Sequence, residues 1–173
     1  MGGGGRPRVI DTNIPKIANG GQPQAGPDCE EACIHAILDV TRKGLLVLDD
    51  KDIIFGEYRR QLSLKGQPGV GDMFMKWVHE NRATPGRCCR VALRSPREPE
   101  DEFHEFPPAP DLQSFDRSDR KFVAVAVAHG GNPPIQVAVD RGWWDHRDAL
   151  AREGVRVEFL CRDDIRRASR KEG

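Results

Sequence analysis

The 173-residue chain lacks net charge: 27 Lys and Arg stand against 27 Asp and Glu. That excludes the simplest nucleic-acid binder, a uniformly basic domain. It also lacks any apolar run near the roughly 18 residues that suggest a membrane span. The stretch Met1 to Arg8 has no apolar segment of the kind a secretory leader carries, so a cytoplasmic protein away from membranes is expected. Cysteine is scarce and odd in number, five in all. In a chain long enough to build its own core, that favours free thiols in a reducing compartment over a disulfide framework. Cys29-x3-Cys33 and Cys88-Cys89 are close in sequence, yet neither gives the paired CxxC spacing of structural zinc, so no zinc site is expected.

What the chain does have is local charge. Residues 59–94 carry eight basic and two acidic side chains, whereas 95–116 carry one and seven. The zero is a cancellation between segments. The basic block (Arg59, Arg60, Lys65, Lys76, Arg82, Arg87, Arg90, Arg94) is a candidate phosphate track.

Residues 8–12 read as a short buried strand, and 13–28, rich in Gly and Pro without an apolar period, as a loop. Asp28 is placed to cap a helix over about 29–43, which Gly44 ends. A second strand follows at 45–48, then a helix over about 52–63 with Ile54, Tyr58 and Leu62 inward. The helix at 70–81 has Val70, Met73, Phe74, Trp77 and Val78 as its stripe. Residues 88–93 read as a strand and 95–116 as a mobile, Pro-rich acidic insert. A helix over 117–129 is apolar from Phe122 to Ala128; 135–139 is a strand, 144–153 a helix, 155–160 a last strand and 162–173 a charged tail. This alternation predicts one α/β domain over 1–173, a three-layer sandwich with a central, mainly parallel sheet flanked by helices. In such sheets the working site lies beyond the carboxyl ends of the strands.

Asp11 and Asp140 stand at such ends. Glu57 flanks the buried face of its helix, and Asp116 and Asp119 share one side of a helix start. Carboxylates gathered beside apolar strands repel one another unless a divalent cation sits among them, and hard oxygens suit Mg2+ or Mn2+. Each also has a plain structural reading, as a turn, a helix cap or a solvated helix residue.

Four segments in order, Val9-Ile-Asp-Thr-Asn-Ile14, Ile54-Phe-Gly-Glu-Tyr-Arg-Arg-Gln-Leu62, Asp116-Arg-Ser-Asp-Arg-Lys-Phe-Val-Ala-Val-Ala126 and Val137-Ala-Val-Asp140, resemble the PIN-domain ribonuclease family. The resemblance covers about 9–63 and 115–160. It implies a PIN-like fold in which Asp11, Glu57, Asp119 and Asp140 form the catalytic, metal-binding acidic cluster, with Asp116 as an accessory ligand and Asn13 and Thr12 in support. The stretch 64–114 matches nothing in the family pattern. Ala138, two residues before Asp140, stands where the family often has Thr or Ser.

The implied reaction is hydrolysis of RNA phosphodiesters with Mg2+ or Mn2+, which would bind the phosphate and acidify the attacking water. Arg59, Arg60, Arg141 and Arg147 are the candidate substrate-binding residues, and Trp143-Trp144 a candidate base-stacking pair. The resemblance also implies a toxin, defence or RNA-processing enzyme, with an antitoxin or other regulatory protein, or a second copy, as partner. Two rivals remain. A haloacid-dehalogenase-like phosphatase also opens with an acidic strand end and has a late acidic pair, matched here by Asp140 and Asp145. Its usual second aspartate is Asn13 in this chain. The other rival is a non-catalytic PIN-like binding module.

Overall fold

A computed structural model describes residues 5–64, 69–94 and 102–171. Lys65 and 95–101 of the expected track and insert lie outside them. In chain order the elements are β1 (Pro7–Ile10), α1 (Asn13–Ala18), α2 (Pro27–Lys43), β2 (Leu45–Asp49), α3 (Ile53–Gln61), α4 (Val70–Asn81), β3 (Cys88–Val91), α5 (Arg120–His129), β4 (Ile135–Val137), α6 (Arg141–Asp145), α7 (Arg147–Arg152), β5 (Val157–Phe159) and α8 (Arg162–Arg170). Two 3-10 turns, Pro110–Leu112 and Arg117–Asp119, lie between β3 and α5.

The five strands form one sheet in the order β3-β2-β1-β4-β5, and every pairing is parallel. Sheet and helices together are consistent with the expected three-layer α/β sandwich. Strands covered on both faces need apolar side chains throughout, and Val9, Ile10, Leu46, Val47, Leu48, Ile135 and Val137 are all buried. The chain runs outward from β1 through β2 to β3, then returns to β1's other side with β4 and β5. The order therefore reverses between β1 and β4, and their carboxyl ends open the crevice where such sheets bind ligands.

α5 lies against β1, β2, β3 and β4, and its residues Lys121 to Ala126 are all buried. α4 meets α1 so closely that a Cβ on Gly71 would lie 1.8 Å from the Pro15 carbonyl oxygen, so only glycine fits there. α3 starts under Asp49, whose carboxylate accepts the N–H groups of Lys51, Ile53 and Ile54 at 2.9 Å each.

Several sequence expectations need correction. The loop expected over 13–28 contains α1. Pro15 is tolerated in its first turn, where no intrahelical N–H is needed, and Ile14, Ile17 and Ala18 are buried. Pro27 opens α2 behind Gly26, so Asp28 lies in the first turn instead of capping it. In α4 it is Met75 that is buried, whereas Met73 is 55% exposed. The mobile insert expected at 95–116 is a folded segment over 102–116. There Phe103, Phe106, Leu112 and Phe115 enter the core, and Phe115 meets Trp143 edge-on with ring centroids 4.9 Å apart. Much of the charged tail is α8, anchored by buried Ile165.

The thiol expectation also fails at one place. Cys29 and Cys161 form a disulfide across a sequence separation of 132. Such a pair has no local spacing to betray it. Tertiary packing alone brings the start of α8 to the start of α2, where the Gly26 N–H also donates to Asp164 Oδ2 at 2.7 Å.

Candidate functional site

The first acidic residue follows β1 directly. Asp11 is 2% exposed, and its backbone N–H continues the ladder to the Gln136 carbonyl at 3.0 Å. The strand end is braced from α3, where the buried Tyr58 hydroxyl donates to the Ile10 carbonyl at 2.5 Å. Asn13 then joins two carboxylates. Its backbone N–H donates to Asp11 Oδ2 and its side-chain amide to Asp140 Oδ2, each at 3.2 Å.

Asp140 follows β4, the neighbour of β1. Its Oδ1 caps α6, accepting the N–H groups of Gly142 at 2.9 Å and Trp143 at 3.5 Å. Oδ2 faces Asn13. Asp119 precedes α5, and Asp116 stands three residues earlier. The Asp116 carboxylate accepts the backbone N–H and the hydroxyl of Ser118 at 2.8 Å each, so Asp116 is at least a cap of its turn. The candidate metal ligands thus come from four places in the chain, after β1, on α3, before α5 and after β4, and Asp11 and Asp140 follow neighbouring strands.

Their electrostatics record the crowding. Burial, then Asp119, Asp140 and Glu57, raise the Asp11 carboxyl well above its ordinary value, against the pull of the Asn13 N–H. Burial, with Asp140, Asp116 and Glu57, pushes Asp119 up to about 7. Asp140 is raised as well, chiefly by burial, and its hydrogen bonds to Trp143, Gly142 and Asn13 oppose the rise. These groups resist ionisation because they are dehydrated and close to one another.

Glu57 has a partner that the sequence pattern did not point to. Lys121 Nζ lies 2.7 Å from Glu57 Oε1, with the lysine side chain 8% exposed. The ammonium also donates to the Ser118 carbonyl, and the Thr12 hydroxyl donates to Glu57 Oε2. Lys121 thus sets a positive charge at the edge of the acidic group. One signal was visible: a lone lysine leading directly into the apolar run Phe122 to Ala128. Burial on such a helix requires a carboxylate for its head group.

The candidate substrate-binding residues divide. Arg59 and Arg60 are exposed on α3, two and three positions after Glu57. Arg141 is half-buried at the start of α6. Arg147 is engaged with Trp144, donating to its carbonyl at 2.6 Å and lying 4.2 Å over its ring. Trp143 is fully buried and cannot stack on a base, and Trp144 meets Phe159 edge-on at 5.1 Å. Much of the basic track is paired internally. Arg82 and Arg90 bind Asp52 at 2.6 and 3.5 Å, and Arg94 binds the buried Glu105 at 3.4 Å. No sequence spacing pairs a histidine with a serine, yet Ser114 Oγ and His146 Nε2 are 3.0 Å apart and link the 102–116 segment to α6.

Three or more possible metal ligands whose atoms all lie within 4.8 Å of one another occur once among the described residues, at Cys29, Cys33 and Cys161. The carboxylates are spaced more widely. Asp11, Asp119 and Asp140 offer carboxylate oxygens, the donor type of hard divalent cations, whereas Glu57 is already bound by Lys121. No helix among the described residues is long and apolar enough to cross a membrane. Comparison with protein-family models, curated proteins and solved structures finds no match, so the functional reading rests on this geometry and on the residues named above.

Proposed function

We propose that the protein is a metal-dependent endoribonuclease of PIN-like type, with Asp11, Asp119 and Asp140 as its metal ligands and Glu57 in an adjoining role. One observation carries the reading. Asp11 and Asp140 follow the strands at the strand-order reversal, and Asp119 acts on Asp11 there. Burial raises all three in pKa, and neighbouring carboxylates, Asp116 in the case of Asp140, add to it. An arrangement this unfavourable without a cation is characteristic of a site built to hold one. When bound, Mg2+ or Mn2+ would draw the scissile phosphate in and make the attacking water more acidic.

The chain's own groups supply the rest. Asn13 fixes the relative orientation of Asp11 and Asp140, and the Tyr58 hydroxyl holds the end of β1 in place. Lys121 pairs with Glu57 at 2.7 Å and orients it at the edge of the acidic group. The exposed Arg59 and Arg60, just beyond Glu57, are the nearest candidates in sequence for phosphate contacts, with Arg59 lying 5.9 Å over the Phe55 ring.

The binding-module reading draws on that same Lys121–Glu57 pair, which neutralises one carboxylate without any metal. In this reading RNA is the substrate, an antitoxin-like protein or a second copy is the partner, and a cytoplasmic setting requires the Cys29–Cys161 pair in its reduced form. A persistent Cys29–Cys161 disulfide points instead to an oxidising compartment. The test is incubation with single-stranded RNA and with a small phosphomonoester, in Mn2+ and in EDTA, beside Asp11→Asn and Asp140→Asn. We expect Mn2+-dependent RNA cleavage that drops at least about 100-fold in either variant. Turnover of the monoester alone would favour the phosphatase, and no turnover at all the binding module.

A further inference from the structure

The sulfur cluster lies outside the acidic crevice and has no role in the chemistry above. We propose that Cys29, Cys33 and Cys161, once the disulfide is reduced, form a binding site for one thiophilic divalent cation of the zinc type. The site joins the start of α2 to the start of α8.

The placement carries the argument. Cys29 and Cys33 are one turn apart on α2, and Cys161 is the residue that leads into α8. The three are 2%, 0% and 5% exposed, and their sulfurs all lie within 4.8 Å of one another. Thiolates around tetrahedral zinc, with bonds of about 2.3 Å, stand about 3.8 Å apart. The sulfurs therefore already stand near the separations that a shared metal ion needs once the disulfide is opened. Charge selects the ion. Three thiolates leave a divalent cation with one net negative charge and a monovalent one, such as Cu+, with two. Asp164 and Glu30 are close enough to act on the Cys33 thiol, so the surroundings already penalise excess negative charge.

The rival use of three neighbouring sulfurs is a thiol–disulfide relay with Cys33 as the attacking thiol. Burial, with Asp11, Asp164 and Glu30, pushes that thiol up to about 12. A thiol held in its protonated form by burial is a poor nucleophile toward the neighbouring disulfide.

The chemistry balances in two steps. An external dithiol gives two electrons and two protons, the Cys29–Cys161 bond breaks into two thiols, and the dithiol becomes a disulfide. Uptake of the cation then breaks three S–H bonds, forms three sulfur–metal bonds and releases three protons. In an oxidising compartment the disulfide joins α2 to α8, and in a reducing one the cation does.

The test uses the full chain carrying Cys88→Ala and Cys89→Ser, which removes the other two thiols. The protein is reduced with a phosphine under nitrogen and titrated with Cd2+, whose thiolate complexes absorb in the ultraviolet. We expect a charge-transfer band that saturates at one equivalent and is displaced by Zn2+. The band should be absent from the oxidised protein and retained in Asp11→Asn at no weaker Cd2+ affinity, since that variant removes a carboxylate that opposes the Cys33 thiolate. Loss of the band in Asp11→Asn would place the ion at the acidic site and overturn the proposal. Cys33→Ser, which leaves the disulfide partners intact, should weaken Cd2+ binding at least tenfold. Circular dichroism follows the fold throughout. No band in the reduced chain, an undiminished band in Cys33→Ser, or a chain that unfolds on reduction and does not refold with Cd2+ would each overturn the proposal.

Discussion

The β1/β4 strand ends and the basic stretch 59–94 treat charge in opposite ways. At the strand ends, Asp11, Asp119 and Asp140 are crowded by carboxylates and by burial, and Asn13, backbone N–H groups and the Lys121 charge offset only part of the rise. Along 59–94 most described cations have found an internal partner: Asp52 for Arg82 and Arg90, Glu105 for Arg94, Glu80 for Lys76 and the Thr41 carbonyl for Arg87. Counting charge by segment makes the second region look like the active surface. Pairing shows that the uncompensated electrostatic tension lies in the first. A charge already satisfied within the fold adds little to the field that a ligand meets.

Lys121 is where the two behaviours meet, and removing it should have the largest effect on the fold. Lys121→Met leaves Glu57 partly buried near the Asp11 and Asp119 carboxylates. Breaking such a pair from one side costs about 3 kcal/mol, read as a lower urea midpoint in EDTA. Mn2+ should recover part of that loss and bind the variant more tightly than the parent, because one competing cation is gone. An unchanged midpoint would mean that the ammonium compensates nothing, and the contrast between the two regions would fail.

The next effect is on pH dependence. The Asp119 carboxyl holds its proton more tightly in the folded chain than at its ordinary value of 3.8, and its folded value is about 7. The stabilisation from this group is therefore complete below about 3.8 and is lost as pH climbs through 7. Metal-free protein should be less stable at pH 8 than at pH 5, by on the order of 1–2 kcal/mol once solvent screening is allowed for. Asp119→Asn should make that slope shallower, and Mn2+ should reverse its sign by binding the ionised cluster. Chemical melts at the two pH values, with EDTA and with Mn2+, check both statements. A metal-free protein that gains stability between pH 5 and pH 8 would show that the carboxylates are not crowded.

The alternation of apolar strands and amphipathic helices was enough to predict the parallel sheet, and the positions of Asp11 and Asp140 at strand ends followed from it. The bridge from Asn13 to Asp140 depends on β4 lying beside β1, which hydrophobic pattern does not specify. α1 was hidden because Gly and Pro in 13–28 signal breakage, although proline is harmless in a first turn. The segment 102–116 was hidden because its composition resembles that of a disordered chain. Its phenylalanines were the contrary signal, since Phe103, Phe106 and Phe115 are core residues. The Cys29–Cys161 bond and the Lys121–Glu57 pair are products of tertiary packing across long stretches of chain, and no local spacing encodes either.

The smallest effect decides whether pairing, and not segment charge, governs RNA binding. Arg59 and Arg60 are exposed beside Glu57, whereas Arg82 and Arg90 both serve Asp52. Arg82 also lies 4.2 Å over the Phe55 ring, so it helps to hold α3. Changing Arg82 and Arg90 together to Ala should cost about 0.2–1 kcal/mol of stability per pair and leave RNA affinity alone. Changing Arg59 and Arg60 together to Ala should leave stability almost unchanged and weaken RNA binding a few-fold at low salt. For every phosphate that the variant no longer neutralises, the dependence of log affinity on log salt should flatten by about 0.7. Filter binding of single-stranded RNA across a salt series, in Ca2+ to hold the substrate uncut, reads both quantities. If the Arg82 and Arg90 double variant showed the weaker affinity and the flatter salt slope instead, those cations would be reaching RNA despite Asp52. The basic stretch would then be an open phosphate track, and the distinction drawn between the two regions would be wrong at its root.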